Sequence, residues 1–395
     1  MNVAPIQAVD EPSVPRARAV MLIDPLLILA TAGLVACSLV TLKGATRGSV
    51  RGSPLHYVER QAIYVGIGVL IAVLITRMDY SRLREYKLGL YALLIVSNLL
   101  VFAAPTTRGA HRWITLPFFQ VQPSEFAKPL LIVALAAFAV DRSRHLHERR
   151  TTARIMLLAL LPALLVIAQP DLGTGMVFVA VAFTVLFIAG TSWKQLTVLV
   201  ALFAAAIAIV LAGAPALGVH VLKPYQVQRL TGFLSPSRDP GNQTYQIHES
   251  LIAIGSGQKT GRGVAQASQT QLNFLPENQT DFIFAVVGET YGFAGAALIL
   301  SLYALLIWRA LRILTMAKNL FGALIAGGIL AMLMFQVFVN VGMTVGIMPI
   351  TGVPLPLLSY GGSSVLVTFI ALGLLQSIHI QARMAAAGKG RALLS

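Results

Sequence analysis

The sequence predicts an all-α polytopic membrane protein: ten transmembrane helices, with a large extracytoplasmic loop between the seventh and eighth. Three observations predict it. Of 395 residues, 56% are hydrophobic and only 11% are charged, whereas a soluble chain carries about 25% charge. The missing charge appears as apolar runs of the length, about 20 residues, that a helix needs to cross the hydrocarbon core. The basic residues, finally, are segregated among the intervening loops.

The first run, 22–42, holds the sole cysteine, Cys37, which excludes intramolecular disulfides and cysteine metal sites. Leu34-Val35-Ala36-Cys37, with Arg16 and Arg18 upstream, has the look of a lipoprotein signal. Asp24 interrupts its apolar core, however, and the run continues to Leu42, so a first spanning helix is expected. Further runs follow at 57–76, 86–104, 124–140, 153–169, 171–190, 195–213, 282–308, 320–347 and 360–382. The fifth and sixth meet at Gln169-Pro170-Asp171-Leu172-Gly173, a turn too polar for lipid.

The formal charge of +15, from 30 Lys+Arg against 15 Asp+Glu, is first a topology signal and only second a sign of anionic partners such as membrane lipids. Nucleic acid is not an expected partner. Arg16 and Arg18, the 77–87 and 142–154 loops, Lys194, Arg309, Arg312, Lys318, Arg383, Lys389 and Arg391 all fall on one side. The loops at 105–123, 169–171 and 348–359 are poor in Lys and Arg. Both termini are therefore expected in the cytoplasm, against one exception, the first external loop with Lys43, Arg47 and Arg51. Residues 1–20 and 386–395 then read as cytoplasmic tails, and 21–385 as a single membrane domain that includes the outer loop 214–281.

Within that loop, 225–233 and 245–254 mix apolar and polar positions at helical spacing, and Ser235-Pro-Ser-Arg-Asp-Pro-Gly241 is turn chemistry. Gly255, Gly257, Gly261 and Gly263 permit tight backbone approaches, and suit either a flexible loop or a backbone cradle for phosphate. Asp281 stands at the outer mouth of the eighth span and Glu289 two turns deeper, where a carboxylate costs about 2.5–3.5 kcal/mol. Glu289 is expected to face the bundle interior as the partner of a polar group on a neighbouring span, and Asp171 to cap its turn. The seven histidines show no metal-ligand spacing; His145 and His147 sit among arginines on a solvated face.

Several stretches line up on the outer side: Arg112-Trp113, Gln122-Pro-Ser-Glu-Phe-Ala-Lys128, Gln169-Pro-Asp-Leu-Gly-Thr174, Leu275-Pro-Glu-Asn-Gln-Thr-Asp-Phe-Ile-Phe-Ala285 and Pro356-Leu-Leu-Ser-Tyr-Gly-Gly-Ser-Ser364. Together they resemble the SEDS family, the RodA and FtsW proteins of bacterial cell-wall synthesis, over nearly all of 20–385 and in order. Asn340-Val-Gly-Met-Thr-Val-Gly-Ile-Met-Pro-Ile-Thr-Gly-Val-Pro354 looks more like RodA (elongation) than FtsW (division). Family members typically carry His where Gln279 stands. The resemblance implies a peptidoglycan glycosyltransferase of the bacterial inner membrane that polymerises lipid II. It implies work beside a class B penicillin-binding protein that cross-links the glycan strand, and a divalent cation, Mg or Mn, as a cofactor, with no dedicated cage visible.

That reaction joins a sugar hydroxyl to an anomeric carbon and expels a lipid pyrophosphate. A positioned carboxylate that takes the hydroxyl proton contributes about 10²–10⁴ in rate, and Asp281 is the candidate. Its alternative is an idle helix-terminal aspartate that only complements the dipole. Arg60, Arg112, Lys128 and Arg229 supply cations at outer positions for the leaving group. Glu125 and Lys128, three apart on one helix face, read equally as a structural pair or a substrate contact. Glu277, Ser359, Gly361 and Ser363 complete the expected substrate site; the glycines of 359–364 suit either pyrophosphate approach or close helix packing.

A lipid II flippase is the rival class, since it too would be polytopic, basic and lined with intramembrane charge. The clustering of motif-bearing loops on one side, and the lack of a convincing inverted repeat, favour the enzyme. A pure scaffold would leave Asp281 without a task.

Overall fold

A computed structural model describes residues 22–46, 55–104, 112–115, 119–146, 148–213, 242–272 and 274–392. Each apolar run of the sequence is a helix: α1 (Pro25–Ala45), α2 (His56–Thr76), α3 (Lys87–Leu100), α4 (Pro123–Asp141), α5 (Arg149–Ala168), α6 (Leu172–Ile188), α7 (Trp193–Ala208), α10 (Ile283–Met316), α11 (Leu320–Thr344) and α12 (Gly362–Ala392). Between α7 and α10 lie α8 (Asn242–Gly257) and the short α9 (Ser268–Gln271). Eight helices are long and apolar enough to cross a membrane, and Lys87–Ala103 and Leu172–Ile188 are shorter apolar helices. Among the described residues the only sheet is a hairpin ahead of α4. Its strands β1 (Ile114–Thr115) and β2 (Gln120–Val121) pair antiparallel, Ile114 opposite Val121.

Two helices run past their expected ends. Helix α10 continues to Met316, through a run rich in Arg and Leu, and α12 to Ala392, beyond the boundary at residue 385, carried by the Met and Ala residues of 384–387 in spite of Gly388 and Gly390. The expected helix at 225–233 and turn at 235–241 lie outside the described residues.

Burial divides the helices by role. The apolar windows of α12 and α4 are 94% and 83% buried, whereas those of α2 and α7 are 11% and 6% buried. The peripheral helices turn Ile63, Leu70 and Leu74, and Val198, Leu202 and Ile209, outward. In water such a surface would drive aggregation; against lipid tails it is the stable one, and the chain is a multi-pass membrane protein. Where α2 crosses α12 small residues let the backbones approach. A Cβ on Gly68 would stand 2.3 Å from the Phe369 ring, and one on Gly373 would lie 3.0 Å from the Ala72 backbone.

One end of the bundle is tied by ion pairs. Asp24 caps α1 by accepting from the N–H groups of Leu26 and Leu27, and its other oxygen receives the Arg309 fork at 2.8 and 2.5 Å. Gln376 bonds the Asp24 backbone reciprocally, so α1, α10 and α12 meet there. Arg84 and Lys87 both bind Asp141, and Tyr80 donates to Asn319. At the far end of α1, Gly44 accepts from Gln271 and lies against Val264, close to where α10 begins. Asp24 and Asp281 therefore mark opposite ends.

Helix α10 is broken. Gly292 takes φ 63° and ψ −158°, which interrupts the ladder and orphans carbonyls before the break and N–H groups after it. In a membrane protein such groups must find partners in protein. Residues 258–263 supply them: Arg262 and Gly263 N–H donate to Glu289 and Thr290, and Phe293 and Ala294 N–H donate to Gln258 and Lys259. That splice requires backbone against backbone. A Cβ on Gly257 would fall 1.8 Å from the Gly288 carbonyl oxygen, and one on Gly261 (φ +83°) 2.2 Å from that of Thr290. These two glycines thus serve neither loop flexibility nor a phosphate cradle.

Gly261→Ala is expected to lower stability by about 1–3 kcal/mol through overpacking and left-handed strain, read as a reduced unfolding midpoint in detergent. Gly255→Ala, in the same segment but with nothing within 4 Å of the added methyl, should be neutral or mildly stabilising.

Candidate active site

Asp281 sits in a tight loop just before α10. Glu277 opens the loop at φ 54°, and its carbonyl accepts from Thr280 and Phe282 N–H. Phe282 and Ile283 are sealed in the core and anchor the helix behind the loop. Three successive carbonyls, of Gln279, Thr280 and Asp281, point away from any helical partner, and each is claimed by another part of the chain. Tyr360 N–H donates to Gln279 at 2.9 Å, the Ser359 hydroxyl to Thr280 at 2.6 Å, and the Asn340 amide to Asp281 at 2.9 Å. The clamp fixes the backbone from which the half-exposed Asp281 side chain springs.

The clamping residues are themselves held. Ser359 accepts from Leu355 N–H, Gln61 donates to the Ser359 carbonyl, and Ser38 donates to that of Leu358. The Asn340 amide reaches the Val353 carbonyl as well, at 2.7 Å, and so ties the Asp281 loop to the turn 351–353. Gly352, at φ +70°, lies beside the acid: a Cβ there would stand 3.4 Å from Asp281 Oδ2. Only glycine takes that conformation freely.

The remaining motifs of the resemblance gather at the same end. A Cβ on Gly173 would meet the Thr351 carbonyl oxygen at 2.8 Å, so the start of α6 packs on the turn beside Asp281. Asp171 caps α6 through Thr174 N–H, as expected, and also accepts from Gln122 and Ser124 at the start of α4. Ser363 donates to Gln120 and accepts from Gln122 N–H, which joins the hairpin to α12. Arg112 donates to the Gln169 carbonyl at 3.0 Å. Arg60 is exposed near the start of α2, and Gly361 lies within reach of Gln61. Lys128 and Glu125 form a sealed ion pair at 2.5 Å, their side chains 0% and 3% exposed. Arg229 lies outside the described residues.

Glu289 departs from expectation. It is fully buried, but its partners come from α9 in the loop segment and not from a neighbouring span. Gln269 N–H, Thr270 N–H and the Thr270 hydroxyl all donate to it, at 2.8, 3.0 and 2.6 Å. The break at Gly292 makes the front of α10 a half-helix whose deeper end reaches the loop segment.

Sequence reasoning assigned no role to Asn340, Gln61, Ser38 or Gly352. The signal for the first three was a polar side chain in an apolar run, which is costly unless partnered. For Gly352 no signal beyond the Thr-Gly-Val-Pro string existed, because its neighbour in space is far away in sequence.

Fold and site together define a polytopic helical membrane protein with one clamped carboxylate at one end of the bundle. A family model described as a cell cycle protein and named for FtsW, RodA and SpoVE matches residues 20–384. The chain belongs to this family. It is 38% identical over 363 residues to the peptidoglycan glycosyltransferase MrdB of Escherichia coli K12, covering 92% of this chain and 95% of that one. Among solved structures it resembles a chain from "Structural coordination of polymerization and crosslinking by a peptidoglycan synthase complex", at 33% identity and TM-score 0.74, covering 91% of this chain and 98% of that one. It also resembles the crystal structure of the rod shape determining protein RodA of Thermus thermophilus, at 31% identity and TM-score 0.63, covering 90% and 96%.

The donor set does not fit a metal cage. Among the described residues no group of three His, Cys, Asp or Glu comes together.

The Glu125–Lys128 pair yields a direct test. Lys128→Met leaves a buried carboxylate without its partner and should cost about 3–5 kcal/mol of stability. Glu125→Gln combined with Lys128→Met should recover most of that loss, measured by unfolding in detergent.

Proposed function

We propose that this protein is a peptidoglycan glycosyltransferase that polymerises lipid II into glycan strands, with Asp281 as general base. The observation that carries the reading is a half-exposed carboxylate whose backbone is clamped at three consecutive carbonyls at the end where the outer motifs converge. The names of the similar proteins supply the reaction class.

The acceptor's 4-hydroxyl loses its proton to the Asp281 carboxylate as its oxygen attacks the anomeric carbon of the donor. The bond from that carbon to the pyrophosphate oxygen breaks, and the lipid pyrophosphate departs with the electron pair. Arg60, Arg112 and Arg229 receive the pyrophosphate charge; Arg binds it through a two-pronged fork. Lys128 acts through its pair with Glu125, and Glu277 braces the loop through Thr280. Ser359, Gly361 and Ser363 shape the wall opposite, the two hydroxyls holding backbone.

The Asp281 end faces outward, where lipid II presents its sugars, and both termini are cytoplasmic in the bacterial inner membrane. The basic loops on the Asp24 end support this orientation. The partner is a class B penicillin-binding protein that cross-links the product, and the likeness to MrdB and RodA supports a role in elongation.

Asp281→Asn preserves volume and should fold, yet turnover should fall by about 10²–10⁴-fold with lipid affinity retained. Asp281→Glu moves the carboxylate by one methylene and should lose roughly 10²-fold. Gel analysis of purified protein with lipid II reads both, and long strands from a well-folded Asn variant would remove the assignment. For orientation, single cysteines in a Cys37→Ala chain should label with an impermeant outside reagent at Lys259 and not at Arg144. The reverse pattern would put Asp281 on the wrong side of the membrane.

A further inference from the structure

Four aromatic rings form a continuous set at the Asp281 end. Tyr360 is the hub. Its ring meets Tyr57 edge-on with centroids 4.9 Å apart and Tyr64 at 6.3 Å. Tyr64 meets Phe119 of the hairpin at 5.5 Å, and His56 stands edge-on to Tyr57 at 5.6 Å. Gly362 makes room for the set, since a Cβ there would fall 2.3 Å from the Phe119 ring and 3.1 Å from Tyr64.

Two features set these rings apart from ordinary membrane tyrosines. Interfacial aromatics face outward at headgroup level. Tyr57 and Tyr64 instead share a helical stripe with Gln61 and Gly68, which meet Ser359 and Phe369 of the α12 side. They line a seam inside the bundle. All four also stay half-buried, so each keeps part of its surface open, whereas Phe178 and Tyr303 are sealed.

Their polar company points to a ligand. Arg60, exposed, stands three residues after Tyr57 on the rim. Burial pushes the Tyr360 hydroxyl up to about 12, with Tyr64 and Arg60 its polar neighbours, so it stays protonated. Tyr360 is also the residue whose N–H clamps Gln279, which joins the ring set to the catalytic loop through one residue. Ring faces carry negative charge and receive the C–H face of a sugar; tyrosine hydroxyls bond its hydroxyls, and a guanidinium takes the adjoining phosphate.

We propose that Tyr57, Tyr64, Phe119 and Tyr360 form a sugar-stacking subsite, rimmed by Arg60, that seats the saccharide of a lipid-linked sugar pyrophosphate beside Asp281. This rests on the glycosyltransferase reading and adds where the sugar ring lies. The test uses the full chain carrying Asp281→Asn in nanodiscs and two probes: lipid II, and a polyprenyl pyrophosphate of equal chain length without sugar. Tyr57→Leu and Tyr64→Leu should each weaken lipid II binding roughly ten-fold, about the value of one good ring contact. The sugar-free probe should bind as before, which doubles as the folding control. Tyr57→Phe and Tyr64→Phe keep the ring and should keep most of the affinity, while Arg60→Gln should weaken both probes. Equal weakening of both probes by the Leu variants would overturn the subsite in favour of prenyl-chain contact. No weakening of either would reduce the rings to an aromatic belt. Failure of the chain with intact rings to bind lipid II at all would overturn the glycosyltransferase reading itself, and the subsite with it.

Discussion

Three carbonyl oxygens before a broken helix constrain the whole Asp281 end of this protein. A buried carbonyl without a partner costs about 1–3 kcal/mol, and the Gln279, Thr280 and Asp281 carbonyls cannot enter the ladder of α10. Their partners come from α11 and from the loop that opens α12. Those partners lean in turn on Ser38 and Gln61 of the first two helices. The carboxylate is thus placed by elements from both ends of the sequence. In the proposed role of general base, a group held this way loses little to reorganisation, and misplacement by about 1 Å would cost roughly 10²-fold in rate.

The break at Gly292 belongs to the same design. A continuous α10 would satisfy its own backbone, but it would leave no surface for the 258–263 segment to splice onto. With the break, the front half-helix, the loop segment and α9 form one frame, closed by three hydrogen bonds to Glu289. A buried carboxylate is costly unless fully bonded, and here its bonds tie loop to helix at the back of the site. The opposite end uses charge for the same purpose. Asp24 is fully buried and Arg309 15% exposed, and together they fasten α1 to α10. Such a pair adds little net stability but makes loss of either partner expensive.

Much of this was legible in the sequence. Apolar length alone located the ten helices of the apolar runs, because a span must be apolar whatever its neighbours are. The Gln169–Gly173 turn and the cap at Asp171 were legible from local chemistry. What remained hidden depends on contacts distant in sequence. Gly257 and Gly261 look like loop glycines until the backbone of 288–290 is brought against them. Asn340 and Gln61 look like isolated polar residues until the orphan carbonyls appear. Glu289 looks like an intramembrane acid because the break at Gly292 has no proline to announce it. The tyrosines of α2 read as spanning-helix residues, since only the tertiary fold gathers them around Tyr360.

Whether the clamp places the Asp281 carboxylate can be read from a double-mutant cycle on turnover. Asn340→Leu and Ser359→Ala each release one carbonyl of the same short loop. Each should lower kcat by roughly 10²-fold in a folded protein whose affinity for lipid II is unchanged. Residues that act as one unit are not additive, so the double variant should fall little below the worse single. Additive losses, or full turnover from either folded single variant, would contradict the account.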